Sequence, residues 1–389
     1  MSAPTTERGF VRPDLSAEAL AAVTAEIAST AAQYDRSGAV PTAGLEAAHR
    51  AGLLTATVAT RYGGPGLGPR DTARILTALG EGDASVALLA ANSLSSHWGQ
   101  AQNAHWPEEF YADVLRRSET GPALVNAIRA EPELGAPARG GLPQTVARRT
   151  ADGWSLHGHK AYATGGTALA YHVVWAVTDE PTPRVGHLIV PADRPGITWI
   201  ETWDHLGLRA SNTHDVVYDD VALPLDAFVE IPLVDGVYRD PAATAGAASF
   251  GHPALYLGVA KAARAAFVDI ARTRVPAALG RPIAETERIQ AIAGEIDAQV
   301  VQAETLLHGA LLRVEAGDPG VLADLSVVKV QIARSVVAAV QTAVAALGNL
   351  ALTRHHPLER HLRDVLCVRV HPPQEDTALA AAGRRILAV

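Results

Sequence analysis

Three side chains in the C-terminal half of this sequence could handle protons. His371 follows a run that reads as a helix, Leu358 to Val368, and precedes Pro372 and Pro373. Neither proline can donate a backbone N–H, and the residue before a proline avoids the helical region, so the chain must turn there. An imidazole titrates near neutral pH and can move a proton in either direction. Across the turn, in Glu375-Asp376-Thr377, Glu375 offers a carboxylate, and His252 before Pro253 is the third candidate. The plainer role for His371 is a helix C-cap, favoured by the dipole. His355, His356 and His361 raise the question of a metal, but Arg354 and Arg360 lie among them and Glu359 is the one neighbouring carboxylate. That mixture predicts a solvated helix surface.

Helices must position these residues. Beyond about Asp235 the pattern is helical: Leu257, Val259, Ala260, Ala263, Phe267 and Ile270 share a face between Ala254 and Ala271. Two long amphipathic stretches follow, Gln290 to Leu312 and Leu322 to Leu347, the second ending at Gly348-Asn349. The N-terminal part, about Asp14 to Trp98, is also helical. There Ser16 is placed as an N-cap with Glu18 just inside, Pro41 opens a second helix, and one helix is expected from Asp71 to about Asn92. Between Pro122 and Pro232 the period falls to two, with Val, Thr, Tyr and Trp set between Gly, Pro and Asp, which predicts short antiparallel strands. Trp154 to Gly166 reads as a hairpin closed by a small-residue turn, and His172 to Ala176 and His187 to Val190 as buried strands. The expected division is residues 1–121, 122–234 and 235–389.

Composition narrows the partners. At 389 residues and 48% hydrophobic, the chain can bury more than one core. Its net charge of −8 excludes the basic footprint that nucleic acid requires. Cys367 is the single cysteine, so no disulfide can form within the chain, which suits a reducing cytoplasm. The longest apolar run, Ser335 to Leu347, is broken by Gln341 and Thr342, and no membrane span is expected.

Several motifs together resemble the acyl-CoA dehydrogenase superfamily. Arg61-Tyr62-Gly63-Gly64-Pro65-Gly66-Leu67-Gly68 is similar to its Tyr-Gly-Gly-x-Gly-Leu-Gly loop, and Glu81, Asp83, Ala84 and Ser85 follow in the usual order. Gly158-His159-Lys160-Ala161-Tyr162-Ala163-Thr164 and Gly207-Leu208-Arg209-Ala210-Ser211 look like motifs of its middle domain. Glu359, Arg360, Arg363 and Asp364 fit its C-terminal Glu-Arg-x-x-Arg-Asp helix. The resemblance implies an α+β fold: an α-helical N-terminal domain, a central antiparallel β-barrel-like domain and a C-terminal four-helix bundle, assembled as a homotetramer.

It also implies a flavin, FAD or FMN. Tyr162 would cover the ring, Thr164 would reach its N5 edge, and Arg274 would meet the diphosphate of a neighbouring subunit's flavin. Ala130 stands where the family has a threonine on the pyrimidine, leaving backbone amides to serve that edge. Gly348 keeps part of the adenosine-binding motif, whose other members appear as Ala345 and Asn349.

The reaction depends on register. Counted without a gap from Arg363, the family's catalytic glutamate falls on Pro372 and its preceding tyrosine on His371; a three-residue shift would bring Glu375 onto the glutamate. The gapless register is similar to the superfamily's oxygen-using branch of dibenzothiophene monooxygenases and nitrososynthases. Its demands are reduced flavin from a separate reductase, O2, a small-molecule substrate such as an amine or amino sugar, and an imidazole at His371, with His252 near the same cavity. The alternatives are an acyl-CoA dehydrogenase with Glu375 as base, and a non-catalytic member kept for assembly.

Overall fold

The computed structural model describes residues 9–133, 142–235, 237–240 and 251–388. Five helices come first: α1 (Ala17–Ser37), α2 (Thr42–Arg50), α3 (Pro69–Gly82), α4 (Ala84–Gln102) and α5 (Glu108–Thr120). Ser16 caps α1 as its sequence suggests, its hydroxyl accepting the Ala19 N–H. The single helix expected from Asp71 to Asn92 is two. Asp83 is extended, and its carboxylate accepts the Ser85 N–H at 2.7 Å to start α4. An aspartate at this position does more for a new helix than for the interior of an old one. The glycine-rich loop is a tight turn: the amides of Gly64, Gly66 and Leu67 donate to the carbonyls of Ala59, Val58 and Ala56.

The middle of the chain is an eight-stranded sheet of β1 (Leu124–Ile128), β2 (Val146–Arg149), β3 (Gly153–Ala163), β4 (Leu169–Thr178), β5 (Val185–Pro191), β6 (Ile197–Ile200), β7 (His214–Pro224) and β8 (Phe228–Glu230). Its order is β6-β7-β3-β2-β4-β5-β8, with β1 on β4. The sheet is mixed rather than wholly antiparallel, because β1 and β2 both run parallel to β4. The expected Trp154–Gly166 hairpin is instead one long strand, β3, with a turn after it. It pairs antiparallel with β2, the strand just before it, through a tight turn at residues 150–152, and on its other edge with β7, a partner too distant in sequence for a local pattern to reveal.

A buried ion pair ties β3 to the exit of β1. The Lys160 ammonium lies 2.7 Å from Glu131, and both side chains are sealed from solvent. Glu131 also accepts the Gln144 and Thr145 amides and the Thr145 hydroxyl. Removing either partner would leave an uncompensated buried charge, a loss of about 3–5 kcal/mol.

The remaining helices are α6 (Gly251–Thr273), α7 (Glu287–Glu315), α8 (Val321–Leu347), the single turn α9 (Asn349–Leu352), α10 (Leu358–Leu366) and α11 (Glu375–Leu387). α6, α7 and α8 pack as a bundle, with α10 and α11 set against α8. By length and composition α8 could cross a membrane, which the sequence reading, stopping at Gln341 and Thr342, did not allow for. Here one side of α8 is buried by Val330, Ile332, Val336, Val337 and Val340, as in a core helix. Leu134 and Gly135, which follow Ala130, lie outside the described residues.

Candidate active site

The turn after α10 brings three aromatic side chains together. His371 Nε2 is 2.8 Å from the Tyr256 hydroxyl, and its ring stacks on that of His252, centroids 4.5 Å apart and planes 13° from parallel. His252 and Tyr256 are one helical turn apart on α6, so both present to the same side. Tyr256 is fully buried; the two imidazoles are partly covered. Burial disfavours the charged ring, pushing His252 down to about 4 and His371 well below its ordinary value. The His252 ring and the Lys329 ammonium further oppose a proton on His371. At neutral pH the pair is therefore neutral, with one nitrogen able to accept. Burial also keeps the Tyr256 phenol protonated.

Glu375 lies four residues on, in a different environment. It begins α11, and its carboxylate is 2.5 Å from Arg334 of α8, both side chains about half exposed.

A second constellation closes β3. Tyr162 has a left-handed backbone (φ 57°) and leaves 60% of its surface exposed. A tyrosine in that region costs about 1–3 kcal/mol and persists only where the surroundings impose it. Two residues on, the Thr164 hydroxyl accepts from Thr213 at 3.1 Å, and Thr213 in turn contacts the Ser211 hydroxyl at 2.7 Å. With that bond accepted, the hydrogen of Thr164 has no acceptor among the described residues and can point to a bound group. The Asn126 amide fixes the Thr164 carbonyl at 2.9 Å. Gly166 (φ 46°) must be glycine, since a Cβ there would sit 1.9 Å from the Asn212 side chain.

The two constellations are joined through α10. Asp364 accepts the Leu208 N–H at 2.7 Å, and a Cβ on Gly207 would meet the Arg363 carbonyl at 2.3 Å, so helix and turn are in backbone contact. From Leu208 the chain runs directly into Ser211 and Thr213; from Asp364 it runs into His371. Arg363 ties the same helix to Asp35 of α1 and pairs with Glu359 one turn earlier on it. Burial raises the Asp364 carboxyl to about 7 despite the Leu208 hydrogen bond.

Of the other candidates, Ala130 lies at the β1 exit, its carbonyl accepting the Ala161 N–H at 2.9 Å. Arg274 follows α6, exposed and without a carboxylate partner among the described residues. Gly348 ends α8 in a left-handed conformation (φ 58°) with open space where a Cβ would be. The histidine triplet is not one solvated surface: His355 is exposed, whereas His361 is buried and driven down to about 3. A groove of about 570 Å³ between α1, α6 and the 354–361 segment contains none of the eight candidate residues.

Sequence reasoning passed over Tyr256 and Lys329. Tyr256 stands four residues after His252, a spacing that could have flagged it. Lys329 is the lone charge in Val327-Val328-Lys329-Val330, on what reads as a buried helical stretch.

Helices before and after a mixed sheet, with an exposed aromatic and the Thr164 hydroxyl on the sheet and the His371 turn on the bundle, define the class. Models described as the N-terminal, middle and C-terminal domains of acyl-CoA dehydrogenase match residues 14–106, 127–221 and 250–373. The chain belongs to the acyl-CoA dehydrogenase superfamily.

Its relatives divide between chemistries. The putative acyl-CoA dehydrogenase YdbM of Bacillus subtilis (strain 168) is 30% identical over 366 residues, 93% of this chain and 94% of that protein. The L-evernosamine nitrososynthase of Micromonospora sp. (strain ATCC 39149 / NRRL 15099 / SCC 1413) is 31% identical over 388 residues, 94% of this chain and 87% of that protein. Among solved structures, KijD3 in complex with FMN and dTDP-3-amino-2,3,6-trideoxy-4-keto-3-methyl-D-glucose superposes with a TM-score of 0.81 at 28% identity, covering 95% and 92% of the two chains.

Proposed function

We propose that this protein is a flavin-dependent monooxygenase that oxidises a nitrogen or carbon centre of a small molecule, an amine or amino sugar being the best candidate. The observation that carries the reading is the neutral, Tyr256-bonded imidazole of His371 on the bundle side, while Glu375, the carboxylate a dehydrogenase would need, is ion-paired at the surface. The nitrososynthase relative and the KijD3 structure support it.

The residues fit a flavin. Tyr162 offers an exposed aromatic face, Thr164 an uncommitted O–H, the backbone near Ala130 donors for the pyrimidine edge, and exposed Arg274 a cation for phosphate. The open position at Gly348 leaves room for the backbone to approach a nucleotide. When bound, the flavin supplies the electrons and the ring at which oxygen reacts. His371 accepts a proton from the substrate nitrogen or carbon, Tyr256 holds the ring orientation, and His252 excludes water from the stacked face. The reduced flavin, FMN or FAD, comes from a separate reductase, and the protein works as a homotetramer in the cytoplasm.

The YdbM relative favours one second reading, an acyl-CoA dehydrogenase with Glu375 as base. An anaerobic titration of the flavin-loaded protein with a panel of acyl-CoAs separates the two. A dehydrogenase bleaches the oxidised flavin and loses the bleaching in Glu375→Gln. The monooxygenase does not bleach, and with reduced flavin and oxygen it converts nucleotide-linked amino sugars in a reaction that His371→Ala abolishes. Bleaching that depends on Glu375 would overturn the proposal.

A further inference from the structure

The turn bearing His371 is held by a residue that neither constellation contains. Lys329 lies on α8 with only 4% of its surface exposed. Its ammonium donates to three backbone carbonyls, those of Val368 at 3.1 Å, His371 at 3.0 Å and Pro373 at 3.1 Å. An ammonium has three donors and no acceptor, so this set saturates it. Among the described residues no carboxylate bonds to it; the Glu375 charge that favours its proton is already held by Arg334. A buried charge is a costly way to fill space that a methionine could fill. The three carbonyls belong to residues that bracket the turn, and only a cation can gather them at one point.

We infer that Lys329 is the positioning residue of the site, clamping the 368–373 turn from within so that the His371 ring is delivered to Tyr256 and His252. The inference rests on the proton-handling reading of His371. α8 acts on both sides of the turn: Lys329 gathers its carbonyls from inside, and Arg334 holds Glu375 where α11 begins outside. The charge of Lys329 also opposes protonation of both imidazoles. The titratable groups facing this point are His252 and Tyr256 from α6, Lys329 from α8, Asp364 and Cys367 from α10 and its end, and Glu375 through Lys329.

The test compares Lys329→Met, Lys329→Gln and Lys329→Arg in the full chain, by amide hydrogen exchange and by deuterium uptake at imidazole C2, which gives each histidine's midpoint. In Lys329→Met, amides spanning 366–371 should exchange at least about tenfold faster, since three carbonyls lose a charged partner. The His371 midpoint should rise, while that of His361, which Lys329 does not reach, stays unchanged. Lys329→Gln keeps two donors without the charge, so it should protect the turn in part yet still show the raised midpoint; it carries the test if the methionine variant does not fold. Lys329→Arg should keep the low midpoint. Unchanged exchange at the turn, or an equal rise across the whole bundle, would overturn the inference. His371→Ala is assayed alongside for turnover. If it retains turnover while Lys329→Met loosens the turn, the reading of His371 fails and the clamp stands; if it abolishes turnover while Lys329→Met changes neither readout, the clamp alone fails.

Discussion

His371 and Glu375 are four residues apart, and the molecule treats them in opposite ways. The imidazole faces α6, bonded to a buried phenol and stacked on a second imidazole. The carboxylate faces out, at the first turn of a helix and against an arginine. Each side chain is matched to its place: the neutral ring tolerates burial, and the charged group keeps solvent and a counter-ion. A turn that carries both shows how little a residue's position in a motif says about its chemistry until its surroundings are known.

That contrast can be broken most directly by mutation. His371→Ala should lower turnover by about a hundredfold or more, the usual worth of a positioned acid–base group, whereas Glu375→Gln should change it less than about threefold. Both are read by product formation under reduced flavin and oxygen, and the reverse order of effects would move the chemistry to the carboxylate. Tyr256→Phe keeps the buried volume but removes the partner of His371 Nε2. A turnover loss of about tenfold is expected, with about 1–3 kcal/mol of stability lost in denaturant melts for the unpartnered ring nitrogen. Tyr162→Ala tests the other constellation: removing one stacked aromatic should weaken flavin binding roughly tenfold, measured by fluorescence titration.

The pH dependence sharpens the same comparison. Burial brings His97, His172 and His252 to about 4 and His187 and His361 to about 3, and lowers His371 as well. Between those values and the unfolded 6.5, the unfolded chain binds more protons at these six sites, so their stabilisation is complete above 6.5 and is lost as the pH falls. Asp83, raised to about 6, and Asp364, raised to about 7, act in the opposite sense between 3.8 and those values. The lowered imidazoles, which also include His49, His205 and His308, outnumber the raised carboxyls Asp83, Asp364 and Glu81, so the Tm should fall as the pH drops from about 6.5 towards 4. A flat or rising Tm over that range would mean the imidazoles are more hydrated than their packing indicates. The smallest effect belongs to the outward side: Arg334→Ala should cost less than about 1 kcal/mol, because the pair it breaks is half exposed.

Much of this was legible in the residues. The Ser16 cap, the Pro372-Pro373 turn and the β-rich middle each follow from local steric and hydrogen-bonding preferences that act within a few positions. The break at Asp83 was missed because apolar periodicity continues through it, and the long β3 strand was read as a hairpin on itself because β7, which covers its other edge, is remote in sequence. At the site, the candidate residues were visible by type, but not their relation. Tyr256 precedes His371 by 115 positions and Lys329 precedes it by 42, so no local pattern could connect them.

The sequence by itself determined the helix–sheet–helix order, the superfamily and a short set of groups able to move a proton, because side-chain type and spacing set local backbone preference. Which of those groups is neutral and inward and which is charged and outward was decided only by packing. Desolvation and hydrogen-bond partners are properties of what surrounds a side chain in space, and at His371 those surroundings come from α6 and α8, distant in the chain and adjacent in the fold.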